Sequence, residues 1–338
     1  MNHRVVWLET GQSFDVEPGE AVLAAALRGQ IELPHECQFG GCGTCRIRLV
    51  EGQVGYESED NESGELPMGL NPEEAEAGFA LACQARPASD LVISVAPPLA
   101  CSSPTRLPAT VESVQPMCAD VMHLRLRLPE DASLVFRPGQ YMNVQLPDGR
   151  HRSFSMASRP DGARVDFHVR RIPGGTFTDR QLATLCAGQT LDVEMPHGSF
   201  CYQARDERPL VMVATGTGLA PIKSMLEALM DDSDCPPVSL YWGMRTEADL
   251  YLHDEICRWT DRLYDFRYVP VLSRAGGDWS GRRGYVQDAV LADLPDLSEH
   301  AIYLCGSPSM IADAKTAFAR HGASMDHLYA DSFVFQAR

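Results

Sequence analysis

The sequence has 338 residues, 44% of them hydrophobic, so it is long enough for two or three packed domains and too apolar for a disordered chain. Its 29 basic and 46 acidic side chains give a formal net charge of −17, which argues against nucleic-acid binding and against docking on an anionic membrane. No apolar run reaches the length of a membrane-spanning helix, and the first residues lack the apolar core of a signal peptide. We therefore expect a soluble, cytoplasmic protein.

Charge and residue pattern divide the sequence into three domains. Residues 1–98 carry 16 acidic and 5 basic side chains, whereas the remaining 240 residues carry 30 and 24. A proline-bounded stretch without periodicity predicts a linker at 99–104. Residues 105–205 contain short β-rich runs separated by turn signals, which predict an antiparallel barrel. In residues 206–338 apolar strands alternate with helical stretches, which predicts a doubly wound parallel sheet.

The predicted elements follow in chain order. The first domain has strands at 3–8 and 12–17, a helix from about 21 to 29, and strands at 46–54 and 91–95. The second domain has strands that include 121–128, 141–146 and 165–170. The third domain has strands at 209–215, 238–243, 266–272 and 301–305, and helices at 220–231, 248–262, 286–293 and 309–321.

Four of the eleven cysteines have the spacing C-x4-C-x2-C…C, and they are Cys37, Cys42, Cys45 and Cys83. This is the plant-type spacing for a [2Fe–2S] cluster, and the glycines at 40, 41 and 43 allow the backbone to wrap closely around the sulfurs. A zinc site is the alternative, but zinc loops usually pair two cysteine knuckles and Cys83 has no such partner. A Rieske centre would need two histidine ligands, and His35 fits no such pattern. The segment resembles plant-type ferredoxins over residues 1–98, which implies a β-grasp-like fold.

A second motif, Arg152-Ser153-Phe154-Ser155, follows a predicted strand and a turn. Alone it is weak evidence, because an arginine on an edge strand is usually a solvated charge. Arg-Pro-Gly-Gln-Tyr at 137–141 lies upstream, and Pro-Gly-Gly-Thr-Phe-Thr at 173–178 lies downstream. Together the three stretches resemble the FAD-binding domain of the ferredoxin–NADP reductase superfamily.

That resemblance implies roles for the motif residues. Arg152 would pair with the FAD pyrophosphate, Phe154 would lie against the isoalloxazine, and Ser155 would act catalytically beside flavin N5. The superfamily often has tyrosine at the position of Phe154, so a phenol hydrogen bond is lost here and stacking is kept. The other residues that the resemblance assigns to FAD are Ser153, His168, Val169, Arg170, Gly175, Thr176 and Thr178.

In the third domain, the strand ending at Thr215 is followed directly by Gly216-Thr-Gly218-Leu-Ala-Pro221. A lone G-x-G is weak evidence, but its position between a strand and a helix supplies the context that a dinucleotide fingerprint needs. Cys305 begins Cys-Gly-Ser-Pro-Ser-Met; its alternative role is that of a buried core cysteine. In the same superfamily a similar motif closes on the nicotinamide ring, so Cys305 is also predicted to be catalytic. The residues predicted to bind the nicotinamide cofactor are Thr215, Gly216, Thr217, Gly218, Pro221, Gly243, Arg245, Asp249, Ser273, Arg274, Cys305, Gly306, Pro308 and Met310.

At the C-terminus, Asp331 precedes Phe333 by two residues. In the superfamily an equivalent acid assists proton balance and an aromatic ring covers the flavin, which makes Asp331 a third catalytic candidate and Phe333 a flavin contact. An ordinary last strand is an equally good interpretation of Asp331.

The order of the three domains resembles the reductase components of bacterial aromatic-ring-hydroxylating dioxygenases, such as those for benzoate and naphthalene. It implies a monomeric iron–sulfur flavoprotein of aromatic hydrocarbon catabolism that passes electrons from NADH through FAD and a [2Fe–2S] cluster to a terminal oxygenase. Reductases of diiron monooxygenases and of deoxysugar dehydrases are alternatives, and a redox sensor is a third. Ser273-Arg274 and Arg283-Gly-Tyr285 are also compatible with the 2′-phosphate of NADPH, but the domain order favours NADH.

Overall fold

The computed structural model describes residues 2–35, 37–56, 65–96, 103–130 and 135–333. The chain forms two compact units. The first unit combines residues 1–100 with 307–320 and 330–338, and the second combines residues 101–306 with 321–329. Of the predicted linker at 99–104, only residues 103 and 104 lie within the described part of the chain. The domain boundaries proposed from the sequence stay predictions.

The first unit contains a mixed five-stranded sheet in the β-grasp arrangement. Its elements are β1 (His3–Trp7), β2 (Ser13–Val16), α1 (Val22–Arg28), β3 (Arg46–Glu51), β4 (Val54–Gly55), α2 (Pro72–Glu76), β5 (Phe79–Leu81), β6 (Arg86–Pro87) and β7 (Leu91–Ser94). The strand order is β2-β1-β7-β3-β5, in which β1 is parallel to β7 and the other pairs are antiparallel. Alternate residues such as Val5 and Trp7 are buried, as the period of two predicts. Strand β3 ends before residue 54 because Gly52 has a φ of +93°.

The second unit begins with an antiparallel barrel. Its strands are β8 (Thr105–Pro116), β9 (Val121–Arg127), β10 (Tyr141–Gln145), β11 (His151–Ser155), β12 (Arg164–Arg170) and β13 (Thr190–His197). They follow the order β11-β10-β13-β8-β9-β12, and a bridge between Met156 and Phe167 joins the two ends. Leu124, Val144 and Phe167 lie in a core that fills the interior. The barrel predicted from the short β-rich runs is therefore confirmed.

A six-stranded sheet follows, in the order β17-β16-β15-β14-β18-β19. Its elements are β14 (Leu210–Thr215), α3 (Leu219–Leu229), β15 (Val238–Met244), α4 (His253–Cys257), β16 (Phe266–Leu272), β17 (Arg282–Arg283), α5 (Val286–Asp293), β18 (Ala301–Gly306), α6 (Pro308–Ala319) and β19 (Leu328–Ser332). Strands β14 to β18 are parallel, and their register places Thr215 beside Gly243 and Ala214 beside Cys305. The loops after β14, β15 and β18 thus begin at the same edge, where ligands bind in such sheets.

The helix predicted at 248–262 is wrong in its extent. The segment contains a 3₁₀ turn at Glu247–Asp249, the five-residue helix α4 and a second 3₁₀ turn at Arg258–Asp261. The carboxylate of Asp249 accepts hydrogen bonds from the backbone N–H (2.9 Å) and the hydroxyl (2.8 Å) of Thr246, which closes the first turn. Tyr251 then turns inward, with its ring 5.0 Å from that of Trp242, so one continuous helix cannot form.

Among the residues that the structure describes, no helix combines the length and the apolar character needed to cross a bilayer.

Gly139 offers a test of the barrel packing. Its φ is +102°, and an added Cβ would lie 1.9 Å from the carbonyl oxygen of Phe200. Gly149, with a φ of +82° and nothing within 4 Å of an added Cβ, is the matched control. Both alanine variants carry the cost of a positive φ, but only Gly139→Ala adds a backbone clash of about 1–3 kcal/mol. A unit of this size shifts by about 2–4 °C per kcal/mol, so we expect the thermal unfolding midpoint of Gly139→Ala to fall about 2–12 °C below that of Gly149→Ala. Equal midpoints would contradict the close contact with Phe200.

Candidate cofactor sites

The four motif cysteines form two sulfur pairs. The Cys42 side chain hydrogen-bonds to the Cys37 sulfur, and this contact lowers the pKa of Cys37 to about 5, against the opposing effect of burial. Cys45 and Cys83 form the second pair, in which their mutual hydrogen bond lowers the pKa of Cys83 and raises that of Cys45. Cys42, Cys45 and Cys83 are buried and Cys37 is half-buried. The hydrogen bond within each pair thus lowers the pKa of one thiol, and the thiolate is the form of cysteine that binds a metal.

This pairing matches a two-iron centre better than a single zinc ion. In a tetrahedral zinc site with Zn–S bonds near 2.3 Å, all four sulfurs lie about 3.8 Å apart. Within the described residues, no three of these four sulfurs lie within 4.8 Å of one another. Two pairs can each bind one iron, as the C-x4-C-x2-C…C spacing predicts. The donor set therefore fits a [2Fe–2S] cluster.

The cluster loop depends on close backbone contacts. The backbone N–H of Cys42 donates to the Cys37 sulfur at 3.3 Å, and that of Thr44 donates to the Cys42 sulfur at 3.5 Å. Gly69 packs on this loop, because its N–H donates to the Gly40 carbonyl at 2.7 Å and an added Cβ would lie 2.9 Å from that oxygen. Gly69 was not among the predicted site residues, because it lies far from the cysteine motif and belongs to no recognisable sequence pattern.

The predicted flavin motif lies on β11, next to β10. Met142 pairs with Phe154, and the Ser153 hydroxyl donates to the Asn143 side-chain oxygen at 2.7 Å. The Phe154 ring lies 5.2 Å from that of Phe177, and Ser155 is buried. The Arg152 guanidinium donates to the carbonyl of His151 at 2.7 Å. One short strand thus presents a guanidinium, an aromatic ring and two hydroxyls. These groups fit the pyrophosphate and the ring system of FAD.

His168, which was predicted to contact FAD, lies on β12 in an aromatic group with Tyr251 and Trp242, neither of which was among the predicted site residues. The Tyr251 hydroxyl and His168 Nδ1 are 3.2 Å apart, and Trp242 Nε1 donates to the Gly216 carbonyl at 3.0 Å. Burial lowers the pKa of His168 well below its usual value, which keeps the ring neutral, and raises that of Tyr251. Three residues thus connect the barrel strand β12 to the loop at Gly216. Trp242 and Tyr251 come from separate segments of the third domain, so no local spacing in the sequence connects them with His168.

The remaining predicted flavin residues have structural partners of their own. Val169 is buried in the barrel core, and Arg170 forms an ion pair with Asp120 at 3.0 Å. In the loop before the helical turn at Thr176–Gln181, the Thr178 hydroxyl accepts a hydrogen bond from the Ile172 N–H at 3.3 Å. An added Cβ on Gly175 would lie 2.4 Å from that hydroxyl oxygen, so only glycine fits beside it.

At the sheet edge, the loops after β14 and β18 approach each other through glycines. An added Cβ on Gly218 would lie 2.3 Å from the Cys305 carbonyl oxygen, and one on Gly306 would lie 2.1 Å from the Thr215 hydroxyl. Gly243 lies beside them, where a Cβ would be 3.1 Å from the Thr215 methyl group. Cys305 itself is buried. The structure therefore brings together the residues predicted from G-x-G-x-x-P and from the cysteine motif. Thr217 and Gly218 lie within the turn, and Pro221 lies in the first turn of α3.

The polar residues predicted for the adenosine end follow β15 and β16. Ser273 donates to the Met244 carbonyl at 3.3 Å, and the backbone N–H of Arg274 donates to the Arg245 carbonyl at 2.8 Å. Within the described residues, the exposed guanidinium groups of Arg245 and Arg274 have no ion-pair or hydrogen-bond partner. Asp249 instead caps the turn at Thr246.

Arg283 differs from these two arginines. Its guanidinium donates to the carbonyls of Gly276 (2.9 Å), Gly277 (3.2 Å) and Trp279 (2.6 Å), and to that of Ala275 (3.4 Å). The side chain therefore closes the loop between β16 and β17.

The last predicted residues lie in the first compact unit. Pro308 and Met310 form the start of α6, where the Ser307 hydroxyl accepts from the Met310 N–H at 3.4 Å. Asp331 lies in β19 and Phe333 directly follows it; both are half-buried. Ser155 and Cys305 belong to the second unit, so a common site for these residues stays a prediction.

Three family models match successive parts of the chain. The 2Fe-2S iron-sulfur cluster binding domain matches residues 5–88, the oxidoreductase FAD-binding domain residues 108–202, and the oxidoreductase NAD-binding domain residues 212–316. The three cofactor-binding segments expected from the sequence are thereby confirmed.

Full-length relatives share all three parts. The chain is 35% identical over 338 residues to reductase component 1 of a terephthalate 1,2-dioxygenase from Comamonas sp., covering 99% of this chain and 98% of the relative. It is 34% identical over 328 residues to a CDP-6-deoxy-L-threo-D-glycero-4-hexulose-3-dehydrase reductase from Yersinia pestis, covering 96% of each. Its fold is similar to the crystal structure of an Amycolatopsis cytochrome P450 reductase, with a TM-score of 0.71, 33% identity and 98% of each chain covered.

Replacing Cys83 tests the sulfur pairing. In Cys83→Ser the second pair loses one thiolate, so we expect iron and acid-labile sulfide to fall from two of each per chain to a small fraction. Bound flavin should stay at the wild-type level, because the barrel has its own core. Cys186→Ser, at an exposed cysteine, is the control and should keep the full iron content. Stoichiometric zinc without sulfide in the wild-type protein would refute the cluster.

Proposed function

Because the chain belongs to the family of iron–sulfur flavoprotein reductases that join 2Fe-2S, FAD-binding and NAD-binding domains, we propose that it is the NADH-dependent reductase component of an aromatic-ring-hydroxylating oxygenase. The observation that carries this proposal is the pairing of the four cysteine sulfurs in a chain that also has flavin and nicotinamide domains. Such a chain accepts two electrons together and releases them one at a time. The terminal oxygenase would be a separate protein.

The residues of β11 would bind and orient the flavin, which supplies hydride acceptance and single-electron release when bound. Arg152 would neutralise the pyrophosphate, and Phe154 would pack against the ring system. Ser155, which is buried, would hold a hydrogen bond at N5 in a site that excludes water. The His168 ring, whose Nδ1 lies 3.2 Å from the Tyr251 hydroxyl, would contact the flavin as a neutral group and add no charge to the site.

The glycine contacts at the sheet edge would position the nicotinamide cofactor. Gly216 and Gly218 leave the backbone open for the pyrophosphate at the start of α3. Cys305 would close on the nicotinamide ring, which supplies the hydride when the cofactor is bound. Asp331 would assist the proton balance of the reaction, and the Phe333 ring would cover one face of the flavin.

A reductase for a deoxysugar dehydrase is the second candidate, because one full-length relative has that name at 34% identity. The two functions share every cofactor and differ only in the protein that receives the electrons. Purified protein with NADH can be assayed with a terminal aromatic oxygenase and with a sugar dehydrase. Substrate turnover by the oxygenase alone supports the proposal, and turnover by the dehydrase alone supports the alternative. A redox sensor would give no steady turnover with either.

The cytoplasmic location and the monomeric state expected from the sequence stay predictions. Gel filtration with light scattering measures the second directly.

Electrons should leave through the cluster. Because residues 307–320 and 330–338 share a compact unit with residues 1–100, a full-length variant is a cleaner test than removal of the first 104 residues. We expect Cys45→Ser to keep NADH oxidation with ferricyanide near the wild-type rate and to lose most cytochrome c reduction. Cys186→Ser should keep both activities. Full cytochrome c reduction by a cluster-free Cys45→Ser protein would show that the flavin passes electrons out directly.

The structure refines the expected cofactor preference. Arg283 is occupied by four loop carbonyls, so of the two arginines considered for the 2′-phosphate only Arg274 has an unpaired guanidinium group within the described residues. We expect kcat/KM for NADH to exceed that for NADPH by about tenfold or more, a difference of about 1.4 kcal/mol.

Two alanine variants separate the arginines. Arg274→Ala should lower kcat/KM for NADPH selectively, whereas Arg283→Ala should affect both cofactors alike because it loosens the loop. A ratio of one or above in favour of NADPH in the wild-type protein would overturn the preference. A selective loss of NADPH use in Arg283→Ala would reverse the roles of the two side chains.

A further inference from the structure

The chain contains only two lysines among its 29 basic side chains, Lys223 and Lys315, and both are buried. Lys315 lies on α6, within the same compact unit as the cluster loop. Its ammonium nitrogen is 3.1 Å from Glu74 Oε1, and Arg46 Nη1 is 2.5 Å from the same oxygen. Glu74 is fully buried and Lys315 is 5% exposed. The three side chains form a charged triad in which the cations Lys315 and Arg46 share the buried carboxylate of Glu74.

Removing these charges from water costs free energy, which ion pairs and hydrogen bonds within the protein must offset. Burial opposes ionisation of Glu74, but Lys315 and Arg46 together lower the pKa of its carboxyl. The carboxylate also accepts the Asn71 N–H at 3.1 Å in a capping box at the start of α2. The Arg46 guanidinium lies 4.9 Å from the centre of the Phe79 ring. The triad is therefore fixed in position and not a loose surface pair.

The Lys315 end of the triad faces the cluster loop. An added Cβ on Gly43 would lie 3.4 Å from the Lys315 ammonium nitrogen, so this cation touches the backbone between Cys42 and Cys45. Cys42, Glu74 and Lys315 also line one small cavity of about 20 Å³. That volume holds roughly one water molecule, so few water molecules fit between the ammonium group and the Cys42 sulfur.

We propose that Lys315 tunes the [2Fe–2S] cluster, its positive charge favouring the reduced form and so raising the reduction potential. Reduction adds one electron to a centre that four thiolates already make negative, and a fixed cation close to those thiolates stabilises the added charge. The Glu74 carboxylate holds the ammonium against the loop, and Arg46 holds the carboxylate. Glu74 and Arg46 are thus positioning residues for the Lys315 charge, which comes from a segment more than 200 residues after the cysteines.

The inference goes beyond the proposed function, because it concerns the cluster and not the protein that receives the electrons. It requires the [2Fe–2S] centre, so iron and sulfide are measured in every sample. Failure of the centre itself is then distinguished from failure of the tuning.

The experiment is a redox titration of the full-length holoprotein, with the reduced cluster followed by its EPR signal. Lys315→Met removes one positive charge beside the cluster loop. We expect the equilibrium constant for reduction of the cluster to fall by about tenfold, which is a shift of about 59 mV to more negative potential. Lys315→Arg keeps the charge and should restore most of the wild-type value. Glu74→Gln removes the anion and should shift the potential in the opposite direction.

Two controls separate charge from packing. Arg320→Met removes an exposed ion pair of 2.8 Å with Glu73, between the same two segments, and should leave the potential unchanged. Lys223→Met replaces the other buried lysine, which lies in the second unit, and should also leave it unchanged. Opposite shifts in Lys315→Met and Glu74→Gln, with rescue by Lys315→Arg, support the proposal. Unchanged potentials, shifts of the same sign, or loss of the cluster from both variants would overturn it and assign the triad a structural role alone.

Discussion

The first unit depends on the requirement that three cysteine sulfurs on one glycine-rich loop, and the sulfur of the distant Cys83, lie in two pairs. Such a loop cannot be stabilised by its own packing, because Gly40, Gly41 and Gly43 offer no side-chain surface. Its support therefore comes from outside: Gly69 packs directly on the loop backbone. The charged triad of Arg46, Glu74 and Lys315 lies beside it. The conformation of the glycine-rich cluster loop is thus stabilised by contacts with residues that are distant in the sequence.

Close contacts at glycines also define the loops at the edge of the parallel sheet. Gly218 and Gly306 are required because the carbonyl of Cys305 and the hydroxyl of Thr215 occupy the space that a side chain would need. Trp242 and Tyr251 pack behind these loops and connect them to the barrel through His168. The nicotinamide loops are therefore defined by close backbone contacts, and the specific chemistry rests on the few side chains, such as Cys305, that border them.

The charged groups of the molecule fall into two kinds with different consequences. Exposed pairs such as Arg150–Asp148 contribute little, because water screens them. The guanidinium of Arg283 is used to close a loop, which removes it from recognition of a phosphate. Lys315 is buried, and its ammonium group lies against the cluster loop at Gly43. Position, and not charge alone, decides what each cation can do.

The sequence by itself determined the three cofactor domains and their order, because each rests on a local pattern: the C-x4-C-x2-C spacing, the Arg-Ser-Phe-Ser strand and the G-x-G turn after an apolar strand. Strand positions such as 266–272 followed from periodicity, which depends only on neighbouring residues. Tertiary structure alone decided the rest. The division of the four sulfurs into pairs depends on Cys83, 38 residues after Cys45. The break in the helix predicted at 248–262 depends on the packing of Tyr251 against Trp242. Glu74 and Lys315 lie more than 200 residues apart, so no local pattern could bring them together; only the folded backbone places one against the other.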